Sequence, residues 1–148
     1  MSKKKSYPVN LPKTNFDMRA GVINKEPILL KEWEEKNIYQ KRLNKQEQAP
    51  SFIFHDGPPY ANGDIHIGTA LNKILKDVIC RYKYMEGYKV PFIPGWDCHG
   101  LPIELNTLKS LGKTADSLTP VEIRQKSREY AQQFVNKQRD SFKRLGIT

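Results

Sequence analysis

The Gly57-Pro58-Pro59 break separates two hydrophobic periodicities that cannot belong to one element, and it constrains the fold more than any other feature. Before it, Ser51-Phe52-Ile53-Phe54 is a short apolar and aromatic run, which predicts a buried strand. After it, Leu71, Ile74, Leu75, Val78, Ile79, Tyr82 and Met85 recur at three- and four-residue spacing, the apolar face of a helix starting near Gly68. A strand end and a helix start therefore meet around residues 55–69. Free backbone N–H groups and the positive end of the helix dipole stabilise a polyphosphate at such a junction before any side chain contributes. Gly63 and Gly68 lack a Cβ that would hold a ligand off the backbone, and His66 can donate a ring N–H to a phosphate oxygen. A bare His-x-Gly pair is more often an ordinary loop with an incidental histidine, so the wider context has to decide.

That context is Pro58-Pro59-Tyr60-Ala61-Asn62-Gly63, then His66-Ile67-Gly68 and Ala70-Leu71-Asn72-Lys73. It resembles the first signature of class I aminoacyl-tRNA synthetases, most closely their isoleucyl branch. Lys13-Thr14-Asn15-Phe16-Asp17-Met18-Arg19 and Glu26-Pro27 resemble that branch's N-terminal extension. Ile74-Leu75-Lys76-Asp77 and the run from Pro94-Gly95-Trp96-Asp97-Cys98-His99-Gly100 to Leu101-Pro102-Ile103-Glu104 resemble its nucleotide fold. The likeness covers nearly all of the chain from about Leu11 onward.

The resemblance implies activation of isoleucine by ATP, entering with Mg2+ as a substrate, and transfer of the aminoacyl group to tRNA(Ile). His66 then matches the histidine that steadies ATP phosphates as charge builds at the α-phosphorus, the main service a protein offers phosphoryl chemistry. Asn62, Gly63, Gly68 and Thr69 complete the expected ATP contacts, with His66 and Thr69 as the catalytic pair. Gly57 and Pro58 match positions that wall the amino-acid pocket, with Tyr60 beside them. Asp97 matches the carboxylate that receives the α-ammonium group, where a charge-assisted hydrogen bond holds and orients the nucleophile. Read from the residues alone, Asp97 serves equally as a turn aspartate, and Asn62 and Tyr60 serve equally in packing. No bound metal is expected in this segment.

One position departs from the pattern: the signature's second histidine is Thr69 here. A hydroxyl still donates to a phosphate but carries no charge, so slower activation is expected. Length sets a larger limit. At 148 residues there is room for one modest domain, with no K-M-S-K-S-like second signature, no editing segment and no anticodon-binding segment. A nucleotide fold of this type binds ATP across two halves, and only a first half is expected here, giving little or no activity alone. Two alternatives are a stand-alone nucleotidyltransferase of the H-x-G-H type and a non-catalytic tRNA-binding synthetase paralogue. The first carries its motif close to the N-terminus, whereas here about fifty residues precede it; the second draws on Thr69 and the missing half.

Composition enters as a filter. No apolar run approaches the roughly 18 residues that span a bilayer, and the basic start Met1-Ser2-Lys3-Lys4-Lys5-Ser6 has no apolar segment behind it, so a cytoplasmic protein without a membrane partner is expected, as a monomer. Cys80 and Cys98 lack C-x-x-C spacing, and Asp97-Cys98-His99 offers too few ligands for a metal. A formal charge of +9 suits a polyanionic partner such as tRNA, or equally a basic piece of a longer, more acidic chain.

The expected class is α/β: the first half of a Rossmann-like nucleotide fold, βαβ plus a long helix, behind a helical extension. Residues 1–50 form the extension, with a helix opened by Pro27 that presents Leu29, Leu30 and Trp33, and residues 51–148 the catalytic half. Gly87 stops the signature helix and Lys89–Pro94 is the second strand, its prolines arguing for an edge or irregular position. Thr119-Pro120-Val121-Glu122 is a capping box opening a long helix whose Ile123, Tyr130, Phe134 and Phe142 belong to a core. Its basic residues, among them Arg124, Arg128 and Lys143, read as a solvated face.

Overall fold

Proline decides where this backbone can pair with itself. The computed structural model describes residues 8–10, 15, 19–112 and 117–147, and most of the Lys13–Arg19 motif and the Met1–Ser6 start lie outside them. Among the described residues five helices run in order: α1 (Val22–Glu35), α2 (Ile38–Lys45), α3 (Ile67–Met85), α4 (Leu101–Leu111) and α5 (Pro120–Arg144). Between them, two isolated parallel bridges form, Ser51 with Lys89 and Tyr60 with Asp97.

The expected α/β fold is therefore overturned: among the described residues there is no strand, and no βαβ half is built. The reason can be read rung by rung. Lys89 donates to Pro50 O at 3.0 Å and accepts from Phe52 N at 2.8 Å. In a parallel ladder the next donor on that strand is residue 91, which is proline and has no N–H. At the second bridge, Asp97 donates to Pro59 O and accepts from Ala61 N, both at 2.9 Å. Extending it backwards needs an N–H from Pro59; extending it forwards needs His99 N, which already donates to Asp97 Oδ1 at 3.2 Å. Each ladder stops after one bridge, so Phe52 and Phe54 pack as side chains without belonging to a sheet.

The helix boundaries follow local chemistry. Thr119 and Glu122 close the expected capping box on α5, Thr119 N donating to Glu122 Oε2 at 2.8 Å and Glu122 N to Thr119 Oγ1 at 3.4 Å. The Thr119 hydroxyl, donating to Glu122 Oε2 at 2.7 Å, and then the Thr119 N–H hold the Glu122 carboxyl below its ordinary pKa. Gly87 and Gly146, at φ 95° and 74°, end α3 and α5 in Schellman turns. In the second, Ile147 N donates to Phe142 O and Gly146 N to Lys143 O. Pro27 does not open α1: that helix starts five residues earlier, behind Gly21 at φ 58°, and carries Pro27 inside it.

Two small apolar clusters hold the helices. Ala61, Ile103 and Ala131 are buried with Trp96, Tyr130 and Phe134 packed against them, which ties α4 to α5. Cys80, Val90 and Phe92 are buried with Phe52, Phe54, Tyr84 and Tyr88 around them. Both cysteines are free, and burial first of all pushes the Cys80 thiol up. α1 reaches the end of α5, where Leu30 and Trp33 lie against Gly146, and Arg81 sits over the Trp33 ring while donating to Gly146 O at 2.6 Å.

α3 reverses its expected orientation. Leu71, Leu75, Val78 and Met85 are exposed, whereas its buried residues are Lys73, Asp77 and Cys80. The inward stripe tolerates charge because each charge is met. Asp56 receives both Lys73 and Lys76, and Asp77 accepts from Arg81 Nε at 2.5 Å. No helix among the described residues is long and apolar enough to cross a membrane.

Candidate nucleotide site

The turn that precedes α3 is hung by its carbonyls from α4 and α5. Gln138, 3% exposed, donates through Nε2 to Tyr60 O at 3.0 Å and to Gly63 O at 2.8 Å. Its Oε1 accepts from Trp96 Nε1 at 3.0 Å. Asn62 O accepts from Tyr130 OH and from Asn106 Nδ2, each at 3.4 Å. On the opposite flank, the bridge between Tyr60 and Asp97 joins the turn to the segment after Trp96. Three separate stretches of sequence thus converge on residues 60–63.

His66 occupies the N-cap of α3, and its Nδ1 accepts from Thr69 N at 3.2 Å. With Nδ1 occupied as an acceptor, Nε2 is the ring atom left to donate. His66 is exposed and Thr69 half-buried at this helix end. The ring also explains Gly68, though not as the sequence suggested. A Cβ at position 68 would lie 3.0 Å from His66 Cε1 and Nδ1, so the missing side chain makes room for the imidazole before it makes room for a ligand. Around Gly63 and Gly57 no heavy atom would meet an added Cβ within 4 Å, so these positions are open.

Gly68→Ala separates the cap from the helix it caps. Alanine gains about 1 kcal/mol of helix propensity, and a displaced N-cap loses about 1 kcal/mol. The expected result is a nearly unchanged unfolding midpoint with displaced His66 ring resonances in NMR spectra. Unmoved His66 resonances would show that the imidazole does not depend on this space.

Among the remaining expected site residues, Gly57 and Pro58 are exposed, Tyr60 is 48% exposed, and Asp97 is half-buried. Asp97 Oδ1 is engaged by His99 N in an Asx-type turn, while Oδ2 accepts no hydrogen bond among the described residues. Asn62 is held by its backbone carbonyl. Asp97, Cys98 and His99 do not converge: Cys98 Sγ points back to Trp96 O at 3.8 Å. No group of three His, Cys, Asp or Glu among the described residues is arranged to hold a metal ion.

Two contributors escape motif reading. Asp56, between His55 and Gly57, is fastened to Lys73 and to Lys76, the latter at 2.5 Å. Gln138 lies 75 residues or more from the carbonyls it holds. Each had a signal: Lys73 and Asp77 fall four residues apart on the stripe that contains Cys80, and Gln138 interrupts the apolar series Ala131, Phe134, Phe142 at helical spacing.

Most of the chain is similar to known proteins. The family described as tRNA synthetases class I (I, L, M and V) matches residues 28–148. An isoleucine–tRNA ligase of Fervidobacterium pennivorans is 59% identical over 139 residues, which is 94% of this chain and 15% of that protein. Isoleucine–tRNA ligases of Thermotoga maritima and Brachyspira hyodysenteriae are each 54% identical, over 94% and 96% of the chain. The chain thus spans 15% of the length of the curated relatives it matches.

Proposed function

Because the chain belongs to the class I tRNA synthetase family, we propose that it is the N-terminal part of an isoleucine–tRNA ligase. The observation that carries this reading is identity of 54–59% to proteins of that name over 94% of the chain. The protein would condense isoleucine with ATP to the aminoacyl-adenylate, releasing pyrophosphate, and pass the aminoacyl group to tRNA(Ile).

Each step has a residue suited to it. The Nε2–H of His66 donates to ATP phosphate oxygens as charge develops on them, and the free N–H groups at the start of α3 add the helix dipole. Thr69 supplies a hydroxyl in the same turn, and Asn62, Gly63 and Gly68 complete the nucleotide contacts. Gly57, Pro58 and Tyr60 flank the isoleucine, whose ammonium group is met by Asp97 Oδ2. Mg2+ arrives with the ATP as part of the substrate. Residues 1–50 form the extension and residues 51–148 the first part of the catalytic domain, in a monomeric, cytoplasmic enzyme.

The test is isoleucine-dependent ATP–pyrophosphate exchange, measured with this chain joined to the remaining length typical of its relatives. Exchange that requires isoleucine supports the reading; binding of tRNA without binding of ATP supports a non-catalytic paralogue instead. In the active protein, Thr69→His is expected to raise the rate of adenylate formation about tenfold, equivalent to about 1.4 kcal/mol of transition-state stabilisation. An unchanged rate removes position 69 from the mechanism.

A further inference from the structure

Two segments that never pair as a sheet still have to present their side chains to one pair of reactants. Residues 59–63 lead into His66, and Trp96 leads into Asp97. Between them lies a single bridge, Asp97 N donating to Pro59 O and Ala61 N to Asp97 O, with no second rung among the described residues. One bridge joins two extended segments at a point but leaves the angle between them open, because a ladder sets direction only through successive rungs. We propose that Gln138 is a positioning residue that sets this angle and thereby couples the nucleotide end of the site to its amino-acid end. This role rests on the proposed placement of ATP at His66 and of the isoleucine ammonium group at Asp97.

The side chain holds both segments at once. Its Nε2 donates to Tyr60 O and Gly63 O on the first, and its Oε1 accepts from Trp96 Nε1 on the second. The partners fix which way the amide faces: reversed, its oxygen would meet two carbonyls and its NH2 would meet an indole N–H. Gly63 stands three residues before His66, and Trp96 immediately precedes Asp97, so each anchor sits at the root of one functional side chain. The amide is buried, so water does not compete for these bonds. Apolar contact already brings the same pieces together, with Trp96 packed against the buried Ala61, Ile103 and Ala131. Such contact is non-directional, whereas a hydrogen bond holds its partners within a narrow range of distance and angle. What Gln138 adds to the packing is therefore orientation.

The first measurement is isoleucine-dependent ATP–pyrophosphate exchange in the chain joined to the remaining length typical of its relatives, comparing wild type with Gln138→Leu and with Gln138→Asn, whose amide is one methylene too short to span both segments. Misplacement of reacting groups by about 1 Å costs about a hundredfold in rate, so kcat should fall by about that factor. KM for ATP and for isoleucine should each change less than about threefold, since either substrate alone still meets its own contacts. In a His66→Ala background the same substitutions should cost less than about threefold in kcat, because the group being positioned is already gone. A residue that only holds the fold lowers activity equally in both backgrounds, and that outcome, or a rise in KM without a fall in kcat, overturns the proposal.

A second measurement needs no activity and separates failure of the coupling from failure of the assigned function. Trp96→Phe, made in the chain itself, removes the indole N–H and should move the Gly63 amide and His66 ring resonances in NMR spectra. In a Gln138→Leu background, or in Gln138→Asn if the leucine variant does not fold, the same substitution should leave them in place. Equal shifts with and without Gln138 mean that the turn senses the indole ring directly, and the coupling role falls. Absence of exchange in the wild-type enzyme strikes the assigned function, and the spectra then decide alone whether Gln138 links the two segments.

Discussion

Asp56→Asn is expected to destabilise the chain by about 3–5 kcal/mol, the cost of removing one partner from a buried ion cluster. The Asp56 side chain is 4% exposed and Lys73 3%, with Lys76 at 18%. Burial by itself would push the Asp56 carboxyl up, but hydrogen bonds and charge from Lys73 and Lys76 outweigh it and hold the group below its ordinary value of 3.8. Asparagine keeps the shape and one acceptor while leaving the Lys73 ammonium buried without a counter-charge. The Phe142 ring, 5.5 Å from that ammonium, offers about 0.5–2 kcal/mol at most, too little to compensate.

The sign with pH follows from the lowered carboxyl. A group whose folded pKa is depressed contributes stability above its unfolded pKa and loses it as pH falls through the folded one. Urea unfolding should therefore separate wild type and variant at pH 7 and bring them together as pH drops below about 4. Since domains of this size are stable by only about 5–15 kcal/mol, the loss at pH 7 is a large part of the total. Asp56→Asn/Lys73→Met, which removes both buried charges, should recover most of it. Equal midpoints for wild type and the single variant at pH 7 would mean that the cluster holds nothing together.

The same cluster shows why the sequence was legible in its motifs and not in its architecture. Capping boxes, glycine stops and the helix behind His66 are local, decided by neighbours a few residues away, and α3, α5 and their ends follow from Thr119, Glu122, Gly87 and Gly146. Strand formation is not local. The run Phe52-Ile53-Phe54 has every strand preference, yet its ladder depends on an N–H that Pro91 lacks, almost forty residues away. The face of a helix is equally a tertiary decision: the apolar stripe of α3 is real in sequence, but Asp56 and Arg81 make the Lys73–Asp77–Cys80 stripe able to go inside. The expected site residues rest on the motif alone, whereas Asp56 and Gln138, which hold that motif in place, carry no motif of their own.

Gln138 gives the sharper test of that last point, because one substitution removes its donors and leaves its shape. Gln138→Glu retains an acceptor for Trp96 Nε1 but turns the Nε2 position, which donates to Tyr60 O and Gly63 O, into an oxygen facing two carbonyls. Two hydrogen bonds are lost at about 1 kcal/mol each, and two carbonyls are left poorly satisfied, so a destabilisation of about 3 kcal/mol is expected at pH 7. Burial and the facing carbonyls raise the pKa of the new carboxyl. The folded chain then keeps a proton that the unfolded chain releases near pH 4.3, so the deficit grows as pH rises above that value and shrinks below it, where the protonated acid regains one donor. Gln138→Leu, which cannot titrate, should show a deficit independent of pH in the same range. The amide resonances of Tyr60 and Gly63 report the turn directly: they should move in both variants and move back at acid pH only in the glutamate. If they stay in place, the turn before His66 is held by its own proline and glycine geometry, and α5 merely passes beneath it.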